Sequence, residues 1–295
     1  MAIAGPVRKR APKTTAAFSI DTLPDLDVRI DPTAIDAAQD IVYDAMDANT
    51  RAMAIKLALK ALAISPHCSD AYNVLAWYWA RNEDEKIALC SHAVKAAEKV
   101  LGPKGFKEFA PHFWGFLETR PYMRARHTLA LALSAQGRHA EAAEHYRDML
   151  RLNPGDNQGI RYLLIDLLLL LGLLEEAEEL IGRYDEGMAA WLWSTALLAF
   201  KKKGDHNTSR KALKHAIASN KHILPLMTGA MKMPRRLPDY ISIGDETEAA
   251  AYVHGAFDAW RLTEGAIAWA AINGGRSGQA KKPRPSKTKR SGQLY

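Results

Sequence analysis

A helix–glycine–helix–proline pattern recurs along this chain and limits the folds that it can adopt. Its clearest copy is RPYMRARHTLALALSAQGRHAEAAEHYRDMLRLNP, residues 120–154. Apolar side chains recur with the spacing of one helix face before Gly137, and a second such face follows until Pro154. These apolar positions are Leu129, Ala130, Leu133, Ala142, Tyr146, Met149 and Leu150. Because Ala130 and Ala142 are small, two antiparallel helices can cross closely, and the segment is predicted to be a helical hairpin.

Further copies of this hairpin lie upstream and downstream in register. The interval from Gly137 to Gly172 is 35 residues, and the interval from Gly172 to Gly204 is 32 residues. Upstream, residues 54–66 have the pattern of a second helix, and residues 72–88 have the pattern of the next unit. The sequence shows no convincing period-two alternation of the kind that strands have. The fold class is therefore predicted to be all-α, a solenoid of about four helical hairpins.

The hairpins resemble the tetratricopeptide repeat, whose period is about 34 residues. Three longer phrases, residues 113–126, 145–164 and 238–253, resemble a bacterial family of tetratricopeptide-repeat proteins of unassigned function. They are also distantly similar to the eukaryotic suppressor-of-tumorigenicity type proteins. The resemblance covers about residues 70–271. It implies a right-handed superhelix that serves as a scaffold, and it implies no established activity.

Segments of different composition interrupt and flank the repeats. Residues 101–120 are rich in Phe and Trp and exceed the repeat spacing, so they are predicted to be an insertion. The predicted organisation is a basic arm at 1–20, repeats at 21–222, a helical C-terminal cap at 223–272 and a basic tail at 273–295. A helical lead-in is expected at about 34–49. In the cap, one helix is predicted to start at Asp245, with Glu248 placed for a capping box, and a second to lie around 267–271.

Positive charge is concentrated in the two terminal segments. The net charge of the chain is +7, but residues 1–20 carry +4 and residues 276–295 carry +7, which leaves −4 for the body. Both arms have little apolar surface to bury, and this composition predicts disorder. Such arms would attract nucleic acid through its phosphates, or they would simply aid solubility, since no aromatic residue is interleaved for base stacking.

No segment of the sequence predicts a membrane span or a secretory signal. The longest apolar run, residues 160–174, is shorter than a bilayer-spanning helix and contains Arg161 and Asp166. The N-terminal residues lack the apolar core of a signal peptide. Two cysteines cannot make a disulfide scaffold. We therefore expect a cytoplasmic protein that does not associate with membranes.

The sequence contains no recognised motif for catalysis, nucleotide binding or metal binding. The glycine-rich phosphate-binding motifs and the G-x-S-x-G nucleophile motif are absent. His67, Cys68, Cys90 and His92 have the chemistry of zinc ligands, but their places on two antiparallel helices would separate the pairs by about 10 Å. The prediction is a non-catalytic protein without a cofactor or a metal.

The resemblance to tetratricopeptide repeats assigns candidate binding residues to the groove of the superhelix. In this family, positions two, five, nine and twelve of each first helix line the groove, counted here from Ser69, Met123 and Asn157. The candidates are Asn73, Trp77, Arg124, His127, Gln158 and Arg161, together with Arg120. Arginine beside aromatic rings suits an acidic or carboxylate-bearing peptide. The same arginines would equally suit an internal network that ties the insertion and the Asp156 turn to the repeats, and the sequence leaves both interpretations open.

The predicted function is a protein–protein interaction scaffold that binds a peptide or helix of a partner protein in this groove. The alternative is a nucleic-acid-associated protein whose basic arms bind phosphate. The two hypotheses differ in salt dependence and in the effect of deleting residues 1–20 and 276–295. A third hypothesis, an enzyme built around the arginines and tyrosines, requires a substrate pocket under the insertion.

Overall fold

The computed structural model describes residues 18–237 and 239–275 of the chain. Thirteen α-helices and no β-strand lie within these ranges. The predicted all-α class of helical hairpins is therefore confirmed. The chain divides into two compact units, Met1–Leu167 and Leu168–Tyr295, which we call unit 1 and unit 2.

Unit 1 contains the helices of three hairpins and the start of a seventh helix. The helices are α1 (Pro32–Met46), α2 (Arg51–Ile64), α3 (Ser69–Tyr78), α4 (Glu83–Phe109), α5 (Arg120–Ala135), α6 (His139–Leu152) and α7 (Ile160–Leu171). Helix α1 packs against α2, α3 against α4, and α5 against α6, while α1, α3 and α5 also contact one another in that order. The predicted lead-in is thus the first helix of a complete hairpin.

The hairpin of α5 and α6 is built as its apolar pattern predicts. Ala130 and Ala142 are fully buried, and Tyr146 is 1% exposed beside them. Gly137 has a φ of 77° at the turn, a left-handed conformation that glycine adopts without steric cost. These observations confirm the predicted positions of the two helices and of the turn that joins them.

The predicted insertion begins as a continuation of α4 and ends in two 3-10 turns. Helix α4 is interrupted at Gly102, whose φ of 56° and ψ of 174° are not helical, and then resumes until Phe109. The turns Phe113–Gly115 and Leu117–Thr119 follow. The ring of Phe113 is fully buried and stacks on Phe106 at 5.4 Å between centroids. Both rings also meet the ring of Tyr122 edge to face, so aromatic packing fixes this segment against α5.

Unit 2 contains the remaining six helices and two further aromatic contacts between them. The helices are α8 (Leu174–Arg183), α9 (Ala189–Lys203), α10 (Asn207–Ser219), α11 (Ile223–Thr228), α12 (Glu246–Arg261) and α13 (Ala266–Gly275). Helix α9 pairs with α10, α12 packs on α9, and α13 packs on α10 and α11. Trp193 meets Trp260 edge to face, and Trp269 stacks on Phe200 at 4.5 Å.

The start of α12 agrees with the sequence, but its capping hydrogen bonds differ in detail. The Asp245 carboxylate accepts hydrogen bonds from the backbone N–H groups of Thr247 and Glu248. In a standard capping box the Glu248 side chain would accept from Asp245 N–H. That N–H donates instead to the Ser242 carbonyl, and Glu248 accepts from Gly244 N–H at 2.8 Å.

The described residues include the last three residues of the predicted N-terminal arm and the first three of the predicted C-terminal tail. Phe18 to Ile20 belong to the described part, where the Phe18 ring packs against Trp79 at 5.1 Å. Helix α13 runs to Gly275 and thus includes the first three residues of the predicted basic tail. The charged stretches of both arms lie outside the described residues, so their predicted disorder stays a prediction. Among the helices that the structure describes, none is both long and apolar enough to cross a bilayer.

Candidate protein-binding site

Four of the seven predicted binding residues line one cavity in unit 1, which we call the Asn73 cavity. Its volume is about 400 Å³. It lies where α3 and α5 meet, with Met46 from the end of α1 on one side. The lining residues are Met46, Asp70, Asn73, Val74, Trp77, Tyr78, Arg124, His127 and Thr128. The first helices of three successive hairpins therefore contribute to a single site.

A buried ion pair forms the base of the Asn73 cavity. The side chain of Asp70 is fully buried, and the Arg124 guanidinium donates from Nε to both carboxylate oxygens at 3.0 and 3.1 Å and from Nη2 to Oδ2. Gln39 Nε2 also donates to Oδ2 at 3.0 Å, and Asn73 Nδ2 donates to Oδ1 at 3.3 Å. Three side chains thus satisfy one carboxylate, and Arg124 is already neutralised by it.

Asn73 retains a hydrogen-bonding group that the described residues do not use. The side chain is 6% exposed, and its Oδ1 has no hydrogen-bond donor within the described part of the chain. A buried carbonyl oxygen without a donor is unfavourable by about 1–3 kcal/mol. Because Asn73 lines the Asn73 cavity, this unused oxygen makes the residue a candidate hydrogen-bonding partner for a ligand with an N–H group.

Trp77 and His127 make the rest of the cavity neutral and largely apolar. The indole of Trp77 is 55% exposed, and Lys86 Nζ lies 4.4 Å from the centre of its ring. Burial lowers the pKa of His127 below its ordinary value, although the charge of Asp156 opposes that shift. His127 is therefore neutral at pH 7. The cavity offers an aromatic surface, a neutral imidazole and a compensated ion pair.

Arg120 and Arg161 do not line the Asn73 cavity. Arg120 donates from Nε to the Trp114 carbonyl at 3.1 Å and lies over the ring of Trp114, within the insertion. Arg161 donates from Nη1 to the Asp156 carboxylate at 2.8 Å. For these two arginines the contacts support the internal network rather than the groove.

Gln158 is not on a first helix, contrary to the register counted from Asn157. Helix α7 begins at Ile160, so Gln158 lies in the preceding turn. The cause is Asp156, which has a φ of 47° and accepts hydrogen bonds from the N–H groups of Ile160 and Arg161. This carboxylate caps the helix three residues later than the repeat register predicts.

The histidines and cysteines considered as zinc ligands have other partners. Nε2 of His67 lies 3.1 Å from the Leu26 carbonyl oxygen, and Nε2 of His92 lies 3.0 Å from that of Pro24. Burial raises the pKa of both Cys68 and Cys90 to about 12, which disfavours the thiolate that a metal requires. Within the described residues, no group of three or more His, Cys, Asp or Glu side chains is arranged to hold a metal.

Two comparisons with known proteins agree with this architecture. Residues 133–188 match the family model of the tetratricopeptide repeat. This segment therefore has the sequence pattern of the tetratricopeptide repeat. Protein ST7 homolog of Caenorhabditis elegans is 24% identical over 256 residues, which cover 72% of this chain and 46% of that protein. The distant similarity to the suppressor-of-tumorigenicity type is thus confirmed, while the chain spans about half the length of this relative. The similarity to a bacterial family stays a prediction.

The repeat register identifies groove positions on α1 that the sequence analysis did not assign. One period of about 34 residues before Ser69 places Ile35 at position one of a first helix. Positions two, five, nine and twelve are then Asp36, Gln39, Tyr43 and Met46. Met46 lines the Asn73 cavity, and Gln39 bonds to Asp70. The 34-residue period therefore extends back to α1, the helix that the sequence analysis predicts only as a lead-in.

Proposed function

We propose that this protein is a non-catalytic scaffold that binds a peptide or helix of a partner protein in the Asn73 cavity. Tetratricopeptide repeats generally mediate protein–protein interaction, and their fold typically serves as a scaffold rather than as an enzyme. The observation that carries the proposal is the unsatisfied Oδ1 of Asn73 beside the exposed Trp77 ring. A peptide supplies both of the complementary groups, a backbone N–H and an apolar side chain.

The composition of the cavity also supports binding rather than chemistry. Its volume of about 400 Å³ suits one or two side chains of a partner. Exposed tryptophan is typical of residues that dominate binding energy at protein interfaces. His127 has a lowered pKa, and the hydroxyl of its neighbour Thr128, which also lines the cavity, donates to the Arg124 carbonyl at 2.9 Å. An adaptor that acts in the cytoplasm, as the sequence predicts, is the function that these features favour.

Site-specific crosslinking in the native host tests this proposal with a matched pair of methionines. Met46 lines the cavity and is 40% exposed, whereas Met53 is 46% exposed on α2 and does not line it. Each is replaced in turn by the photoreactive p-benzoylphenylalanine in the full-length protein. We expect a discrete protein adduct from position 46 and not from position 53. The adduct should disappear when Trp77→Ala or Asn73→Leu is added.

The opposite results would reject the proposal. Equal adducts from both positions, or adducts that persist in Trp77→Ala, would show that the cavity is not the binding site. Adducts that disappear with nuclease would instead favour the nucleic-acid alternative, in which the basic arms bind phosphate. Circular dichroism of each variant verifies that the helical fold is retained.

A further inference from the structure

A second cavity in unit 1, which we call the acidic cavity, collects carboxylates without a basic partner. Its volume is about 490 Å³, and it lies between α1 and the end of the insertion. The carboxylates of Asp36, Asp40 and Glu118 line it, and all three residues are exposed. No lysine or arginine lines this cavity, and within the described residues these three carboxylates form no ion pair. Apart from His67, the charged residues that line this cavity are therefore all acidic.

The acidic cavity and the Asn73 cavity share a wall. Gln39 lines the acidic cavity and donates to Asp70, which lines the Asn73 cavity. Tyr43 lines the acidic cavity and interacts with Arg124 on the other side. Two residues of the acidic cavity, Gln39 and Tyr43, therefore contact the Asp70–Arg124 pair that lines the Asn73 cavity.

The acceptors left unused in the two cavities specify the sign of the ligand charge. Arg124, which the sequence suggested for an acidic peptide, is already neutralised by Asp70. Asn73 Oδ1 is a buried acceptor that requires a donor, and the three carboxylates of the acidic cavity attract positive charge. Apolar side chains of Ile35 and Leu117 lie beside those carboxylates and suit the methylene stem of a basic residue.

We propose that the partner segment is basic: a peptide that places an apolar residue and an N–H donor in the Asn73 cavity and a Lys or Arg in the acidic cavity. This inference rests on the proposed function and specifies the chemistry of the partner. The partner charge that it specifies is opposite to that of the acidic peptide predicted from the arginine-rich sequence around residues 120–126. Electrostatic complementarity of this kind selects partners and accelerates their association.

Selection from a phage-displayed library of random twelve-residue peptides on the full-length protein tests this inference. Among peptides whose binding is lost in Trp77→Ala, we expect Lys and Arg to be enriched over Asp and Glu. The affinity of a selected peptide should fall about tenfold in the Asp36→Asn, Asp40→Asn, Glu118→Gln variant, since three weak ion pairs are lost. Fluorescence anisotropy of the labelled peptide gives the dissociation constants.

A charge-matched control separates local complementarity from net charge. Asp44, Glu108 and Glu179 are exposed carboxylates that line neither cavity, and the variant Asp44→Asn, Glu108→Gln, Glu179→Gln removes the same total charge. We expect this variant to bind the selected peptide with unchanged affinity. An equal loss in both triple variants would overturn the inference, because binding would then follow overall charge.

The two proposals fail in distinguishable ways. If peptides depend on Trp77 but are acidic or uncharged, or are insensitive to Asp36→Asn, Asp40→Asn, Glu118→Gln, the basic-segment inference is wrong and the proposed function stands. If no selected peptide depends on Trp77 or Asn73, the proposed function is wrong, and the inference falls with it. Acidic peptides that bind Trp77→Ala as well as the wild-type protein are bound elsewhere on the chain. If such peptides are selected and no basic peptide depends on Trp77, the result counts against the inference.

Discussion

Two buried asparagines, one in each unit, use their amide groups differently. Asn220 in unit 2 is 1% exposed, and it donates to the Asp245 carbonyl at 2.8 Å and to Glu248 Oε2 at 2.9 Å. Its Oδ1 accepts from His222 N–H at 2.9 Å. Asn73 in unit 1 is 6% exposed and makes one weak hydrogen bond, to Asp70. A satisfied amide stabilises the fold, whereas an amide with an unused acceptor at a cavity is suited to a ligand.

The carboxylates beside these asparagines differ in the kind of partner that they have. Glu248 in unit 2 is 4% exposed and accepts hydrogen bonds from neutral groups, namely the Asn220 amide and the N–H groups of Gly244 and Ala189. Asp70 in unit 1 is paired with a guanidinium that is itself 28% exposed. The polar cluster of unit 2 is closed within the fold, while that of unit 1 opens onto a cavity.

The largest effect is expected when the ion pair of unit 1 loses its cation. Arg124→Gln leaves the fully buried Asp70 without a compensating charge and should lower the free energy of unfolding by about 3 kcal/mol. Urea denaturation followed by circular dichroism measures this change. The exposed pair of Arg138 and Glu141 supplies a control, because Arg138→Gln should lower the free energy of unfolding far less than Arg124→Gln does. An equal decrease in the free energy of unfolding in both variants would show that the buried pair stabilises the fold no more than the exposed pair does.

A smaller loss is expected from the satisfied asparagine of unit 2. Asn220→Ala leaves the His222 N–H without its acceptor and removes one of the donors to the Asp245 carbonyl, which keeps that of Ala249 N–H, and one of the donors to Glu248. We expect a decrease of about 2 kcal/mol in the free energy of unfolding. Hydrogen exchange of the backbone amides at the start of α12 should accelerate in the same variant. Unchanged exchange there would mean that Asn220 does not hold this helix start in place.

The smallest change in stability is expected from the asparagine of unit 1. Asn73→Leu removes one weak hydrogen bond together with an unsatisfied oxygen, so the free energy of unfolding should stay within about 1 kcal/mol of the wild-type value. Binding of a selected peptide should nevertheless weaken at least about tenfold. A destabilisation comparable to that of Asn220→Ala would contradict the difference drawn between the two residues.

The helices and their turns could be predicted because their causes are local. The apolar faces around Ala130 and Ala142, the left-handed Gly137 and the Asp245 cap all follow from neighbouring residues. Asn73 and Trp77, which the register assigns to the groove, line a cavity. Periodicity is sufficient for such features since burial and capping are set within one hairpin.

The chemistry of the site could not be read from the sequence in the same way. Asp70 and Arg124 are 54 residues apart, and their pairing depends on how one hairpin packs on the next. Without that contact, Arg124 predicts an acidic ligand, whereas the paired arginine does not. Gln158 was misplaced because the Asp156 turn delays the start of α7, a local departure from the repeat register.

The two cysteines of the chain allow the opening of the structure around Asn73 to be measured by thiol modification. Cys68 precedes α3, Cys90 lies within α4, and both thiols are buried with a pKa of about 12. Cys68 also lies 3.9 Å from Gln39 Oε1 of α1. At neutral pH the two thiols react with an alkylating reagent only when the packing around them opens, because both exposure and the thiolate are needed. The rate of thiol modification therefore reports how often α3 and α4 loosen from their neighbours, and a bound segment that holds α3 in place should slow it.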